Sequence, residues 1–131
     1  MKNKAGMTLI EVVIAIAITF IVFLGLSGAG IFVLNENIKN SMRDEAVSVA
    51  GMEMEQTRST PFDTLYSAAG TQDIDNVARQ IRGLTVTYGV TRTVTVIDLN
   101  NLQVSINVAW TRIENRQPKS YSDTIATIVR R

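Results

Sequence analysis

From Val12 to Leu34 the chain carries no formal charge, and its only polar side chains are Thr19 and Ser27. As a helix rising about 1.5 Å per residue, this run reaches about 34 Å, enough to cross a hydrocarbon core of about 30 Å. A run of this kind dictates its own backbone. In lipid every N–H and C=O must be paired within the segment, which leaves a helix as the solution for a single span. Lys2 and Lys4 precede the run without an accompanying acid, so the positive-inside rule keeps the first residues cytoplasmic and sends the remainder outward. Gly25, Gly28 and Gly30 each weaken the helix by about 1 kcal/mol relative to alanine, but they also allow close helix contact.

Glu11 stands between Ile10 and Val12 at the head of this run. A charge at the centre of a membrane helix costs on the order of 2.5–3.5 kcal/mol on insertion scales, and less near the interface. From the residues alone, the carboxylate either reaches headgroups or meets a partner. Lys2, Lys4, Ala5-Gly6, Met7-Thr8-Leu9-Ile10-Glu11-Val12 and the apolar run together resemble the processing region of type IV pilins and pseudopilins. The resemblance implies a basic leader over residues 1–6, cut between Gly6 and Met7 by prepilin peptidase on the cytoplasmic side, with the new N-terminus at Met7 then methylated. Met7 stands where family members usually carry Phe. The resemblance also implies a partner for Glu11, the methylated amine of a neighbouring subunit's first residue. A carboxylate and an ammonium in an apolar bundle attract through weak screening, and either one alone is penalised, so such a pair can set axial register in assembly. Two readings compete: a secretory signal cleaved near Ser27-Gly28-Ala29, although an h-region typically runs about 7–15 residues, and an uncleaved single-pass anchor.

Composition narrows the chemistry. The 131 residues hold 13 lysines and arginines against 12 acids, and neither histidine nor cysteine. The balance gives no global field to recruit nucleic acid, and Arg79, Arg82 and Arg92 form no evident basic track. The usual neutral-pH base, the thiolate nucleophile and the thiol metal site are absent from the sequence. There is no glycine-rich phosphate loop and no nucleophile elbow, so no enzyme activity, cofactor or metal is expected. Asp73, Asp75 and Asn76 invite a calcium reading, but the spacing lacks an EF-hand loop with its distal Glu; capping or solvation is the plainer role. Phe20, Phe23 and Phe32 read as packing residues, not as a conducting aromatic path.

Beyond Leu34 the helical period continues through Ile38, Met42, Ala46, Val49 and Met52, with charges on the other faces. The Thr60-Pro61 pair predicts an end near Arg58. From Pro61 to about Arg82 a connecting region is expected, with Phe62, Leu65 and Tyr66 as anchors and a short helix over Val77 to Ile81 capped by Asp75 or Asn76. The period then changes to two. Leu84 to Val90 with Val94 and Val96, Leu102 to Trp110, and Tyr121 to Val129 read as antiparallel strands, with turns at Asp98–Asn101 and Glu114–Pro118. Trp110 is expected in the core or at an interface.

The expected class is α+β, a long N-terminal helix packed on a small antiparallel sheet. Residues 1–6 form a leader, 7–34 a transmembrane or filament-core helix, 35–60 its amphipathic continuation and 61–131 a head. The head also resembles those of minor pilins and type II secretion pseudopilins. The resemblance implies a structural subunit whose partners are other pilin subunits, prepilin peptidase and an inner-membrane assembly platform. The precursor would sit in the inner membrane with its head outside the cytoplasm and then enter a pilus or a periplasmic pseudopilus. A secretion or competence pseudopilin is the alternative within that class.

Overall fold

The computed structural model describes residues 8–114 and 116–131. In chain order these form α1 (Leu9–Arg58), α2 (Phe62–Ser67), β1 (Gly70–Ile81), β2 (Leu84–Asp98), β3 (Asn101–Glu114) and β4 (Gln117–Arg130). Two compact units are distinguished, the first ending at Asn37 and the second covering Ile38–Arg131.

In the first unit the apolar side chains stand exposed on all sides of α1, among them Ile14, Ile21, Phe23 and Phe32. The helix is long and apolar enough to cross a membrane. The two hydroxyls of the apolar run from Val12 to Leu34 do not leave orphan polar groups. Thr19 Oγ1 donates to the Ala15 carbonyl at 2.8 Å and Ser27 Oγ to the Phe23 carbonyl at 2.9 Å, the i−4 back-bond that lets Ser and Thr enter apolar surroundings at low cost.

In the second unit the continuation of α1 covers one face of a four-stranded antiparallel meander of order β1-β2-β3-β4. The helix buries Met42, Ala46, Val49, Ala50, Met54 and Thr57. Met52, expected on this seam, is 60 % exposed. At 3.6 residues per turn the three-residue step from Val49 rotates it about 60° back, away from the sheet, and Met54 and Thr57 continue the seam instead. The helix stops at Arg58, where expected. Pro61 has no N–H to extend it, and the hydroxyls of Ser59 and Thr60 donate to the Gln56 carbonyl at 2.7 and 3.3 Å, satisfying an end group the helix leaves open.

The inner face of the sheet is made by alternate residues: Val86, Tyr88, Val90 and Val94 on β2, and Leu102, Val104, Ile106, Val108 and Trp110 on β3. Between them threonines, serines and asparagines face outward, the pattern of a half-buried antiparallel sheet. Leu65 from α2 closes one end of the core.

Two sequence expectations are corrected here. The expected connecting region from Pro61 to Arg82 holds α2 and all twelve residues of β1, and no helix forms over Val77 to Ile81. A bulge at Asp75-Asn76 is the reason. Register shifts between Ile74 and Val77, so the inward residues Ile74, Val77, Arg79 and Ile81 change phase midway and read as a helical step. The hairpin to β2 turns on Arg82-Gly83, both at positive φ (48° and 82°), the backbone of a two-residue turn matched to strand twist. The second correction concerns strand lengths. β2 runs as one strand from Leu84 to Asp98, as expected, whereas β4 begins at Gln117, inside the expected turn Glu114–Pro118, with Pro118 opposite Ile113 on an edge strand where its missing N–H costs no ladder bond.

Candidate processing and assembly site

Gly6 and Met7, the expected cleavage pair, lie outside the described residues, as do Lys2 and Lys4. The described part of the site begins at Thr8, and its geometry explains why Thr and Glu stand three residues apart. The Thr8 N–H and hydroxyl both donate to Glu11 Oε2, at 2.9 Å each, and the Glu11 N–H lies 3.4 Å from Thr8 Oγ1. The Thr8 carbonyl accepts from the Glu11 and Val12 N–H groups at 3.0 and 3.3 Å. This is a reciprocal capping box, in which N-cap Thr and N3 Glu satisfy each other's backbone donors. It starts α1 immediately after the expected cut.

The capping box gives Glu11 a local structural role beside the expected assembly role and brings in Thr8, which the sequence reading takes only as part of a matching stretch. Its signal was present in the sequence as Thr8-x-x-Glu11 directly before an apolar run. The carboxylate is therefore held close to the helix start, where the N-terminal dipole favours negative charge. Both Thr8 bonds fall on Oε2, and Oε1 takes part in neither.

Trp110, Asp73, Arg79 and Arg92 have structural partners. Trp110 is buried in an aromatic row, 5.9 Å from the Tyr88 ring and 5.8 Å from the Tyr121 ring. Asp73 accepts from the Thr91 hydroxyl at 3.2 Å, and among the described residues no group of three or more acidic side chains gathers to hold a metal. Arg79 pairs with Glu45 at 3.0 Å and Arg92 donates to Gln72 at 2.6 Å, while Arg82 stands at a hairpin tip; the three form no continuous track.

The second unit is fastened to its helix by polar contacts at several points. The buried Tyr88 hydroxyl donates to the Met42 carbonyl at 2.9 Å. Burial, with the Glu45 charge nearby, pushes the Tyr88 phenol up to about 12. Arg43 reaches Asp123 at 3.5 Å. At the end of β3 the Tyr121 hydroxyl donates to Glu114 Oε1 at 2.6 Å, and with Lys119 and Arg112 it holds the Glu114 carboxyl below its ordinary range.

Comparison with known proteins finds one family, described as the prokaryotic N-terminal methylation motif, matching residues 1–27. No curated protein and no solved structure matches the chain. The matched segment contains Gly6, Met7, Thr8 and Glu11 and much of the apolar run. The chain thus carries the N-terminal methylation motif that is the signature of type IV pilins, on a long apolar helix that continues into an antiparallel sheet head, an architecture that fits the pilin-like proteins.

Proposed function

We propose that this protein is a structural subunit of a pilin-like filament, made as a membrane-anchored precursor. Prepilin peptidase cuts it between Gly6 and Met7, and Met7 is then N-methylated. The observation that carries the reading is the methylation motif over residues 1–27, set on a helix whose apolar run from Val12 to Leu34 is exposed all round. A helix apolar on every side must be buried by something, either lipid or other helices. In the precursor that environment is the inner membrane, with the head outside the cytoplasm; after assembly it is a bundle of like helices.

Glu11 serves in both states. In the precursor it closes the capping box with Thr8. In the filament Oε1 accepts the methylated ammonium of a neighbouring Met7, a charge-assisted bond strengthened by the low dielectric of the bundle. The chain performs no chemistry itself; it is the substrate of the peptidase and methylase and a partner of other subunits and an inner-membrane platform. Within this class we assign it as a minor subunit, since the head is a bare four-stranded meander without a cysteine-bridged loop.

Mass spectrometry of the N-terminal peptide from membrane-extracted protein tests the assignment. A chain starting at N-methylated Met7 is expected. A start at Met1 or near Gly30 would overturn it, leaving an uncleaved anchor in the first case and a conventionally secreted domain in the second. Glu11→Gln is expected to be cut normally yet to be lost from sheared filaments.

A further inference from the structure

The second unit distributes its charge unevenly along the sheet. Tyr88, Trp110 and Tyr121 form one row across it, and the Tyr88 hydroxyl ties that row to Met42, near the start of the helical segment at Ile38. The other end of the sheet lies by the end of α1, where α2 follows. There Arg131 pairs with Asp63 at 3.0 Å and its N–H donates to the Asn100 carbonyl. Both remaining hairpin turns, β1–β2 and β3–β4, therefore lie at the end where the helix enters the unit.

Beyond the aromatic row, residues 78–87 and 111–120 hold Arg79, Arg82, Arg112, Arg116 and Lys119 against the single acid Glu114. Arg79 is taken up by Glu45, and Glu114 lies 3.6 Å from both Arg112 and Lys119. Arg82 and Arg116 occupy the two turns, each with positive φ, and are exposed. Lys119 keeps 62 % of its side chain exposed. Beside them stand two exposed apolar residues, Ile113 at 74 % and Leu84 at 49 %. Basic tips with apolar neighbours match a membrane interface, where anionic headgroups attract the charges and aliphatic groups enter below them.

Connectivity puts that interface within reach. Only residues 35–37 separate Leu34, the end of the apolar run, from Ile38, and four chain steps span no more than about 14 Å even when extended. We propose that, before assembly, the β1–β2 and β3–β4 tips dock on the anionic phospholipid headgroups of the membrane that holds the helix, through Arg82, Arg116 and Lys119 with Ile113 and Leu84. The docking rests on the membrane-anchor reading above. It fixes how the precursor's head stands on the bilayer, and extraction of the subunit must break it.

The absence of cysteine makes single-site labelling clean. Full-length protein carrying one fluorophore at Leu24→Cys, Leu99→Cys or Ile113→Cys is reconstituted in vesicles of phosphatidylcholine alone or mixed with phosphatidylglycerol. Quenchers sit on either the headgroups or the acyl chains. The Ile113 label is expected to be quenched by the headgroup probe in the mixed vesicles and the Leu99 label, at the opposite turn, to stay in water. Each basic residue near an anionic surface contributes about a five-fold preference, so Arg82→Asn, Arg116→Asn and Lys119→Gln together should release the Ile113 label, as should high salt. Asn tolerates the left-handed backbone of both turns. An Ile113 label as wet as Leu99 in the mixed vesicles, or equal quenching in both lipids, overturns the docking. If the Leu24 label escapes the acyl-chain quencher, the anchor reading falls and the docking with it; Leu24 quenched with Ile113 wet removes the docking alone.

Discussion

At the scale of single residues, Thr8 and Glu11 together hold the start of α1. Their spacing is what a capping box requires, and in the proposed filament the same carboxylate, at the head of the uncharged run from Val12 to Leu34, would also accept a neighbour's ammonium. Thr8→Ala removes the N-cap, worth typically about 1 kcal/mol, and should speed hydrogen exchange of the first helical amides about five-fold in micelles, with Thr8→Ser restoring protection. Tyr88 sets a different test. Its phenol is raised to about 12 in the folded head, against 10.0 for the ordinary group. The unfolded chain therefore loses this proton first as pH rises, and stability should fall between pH 10 and about 12. Tyr88→Phe should flatten that part of the profile in denaturant titrations, at a loss of about 1 kcal/mol at neutral pH for the missing bond to Met42.

At the scale of elements, the seam between α1 and the sheet is narrow because Ala46 and Ala50 are both fully buried there. Ala46→Leu would force methyl groups into a filled contact and should destabilise the head by about 1–3 kcal/mol in urea melts. Thr57 offers the opposite sign. Its hydroxyl is buried with no hydrogen-bond partner among the described residues, so Thr57→Val, which keeps the shape and drops the polar atom, should stabilise the head by about 1 kcal/mol. The helix end and the β2–β3 turn were legible because each has local chemistry: Pro61 blocks the one, and the Asp98 carboxylate accepts from the Asn100 N–H at 2.8 Å in the other. β1 was not legible. Its bulge at Asp75-Asn76 shifts the inward phase, and its polar residues suit an edge strand that only the pairing with β2 defines.

At the scale of the whole molecule, every residue of the buried core lies between Met42 and Trp110. A fragment covering residues 38–131 should therefore fold as a soluble, cooperative unit without the apolar run, with one thermal transition seen alike by circular dichroism and tryptophan fluorescence. Loss of that transition would mean that the first unit contributes to folding beyond anchoring. What the sequence by itself determined is whatever rests on local chemistry: the charge-free run from Val12 to Leu34, its methylation motif, the stop at Pro61, and the alternation of β3. These follow from periodicity, capping and backbone restriction, which act within a few residues. Tertiary structure decided the rest. It made residues 70–81 a strand, chose Met54 and Thr57 over Met52 for the seam, and gathered the basic turns at the end where the helix enters, because edge pairing, helix rotation and turn placement depend on partners many residues away.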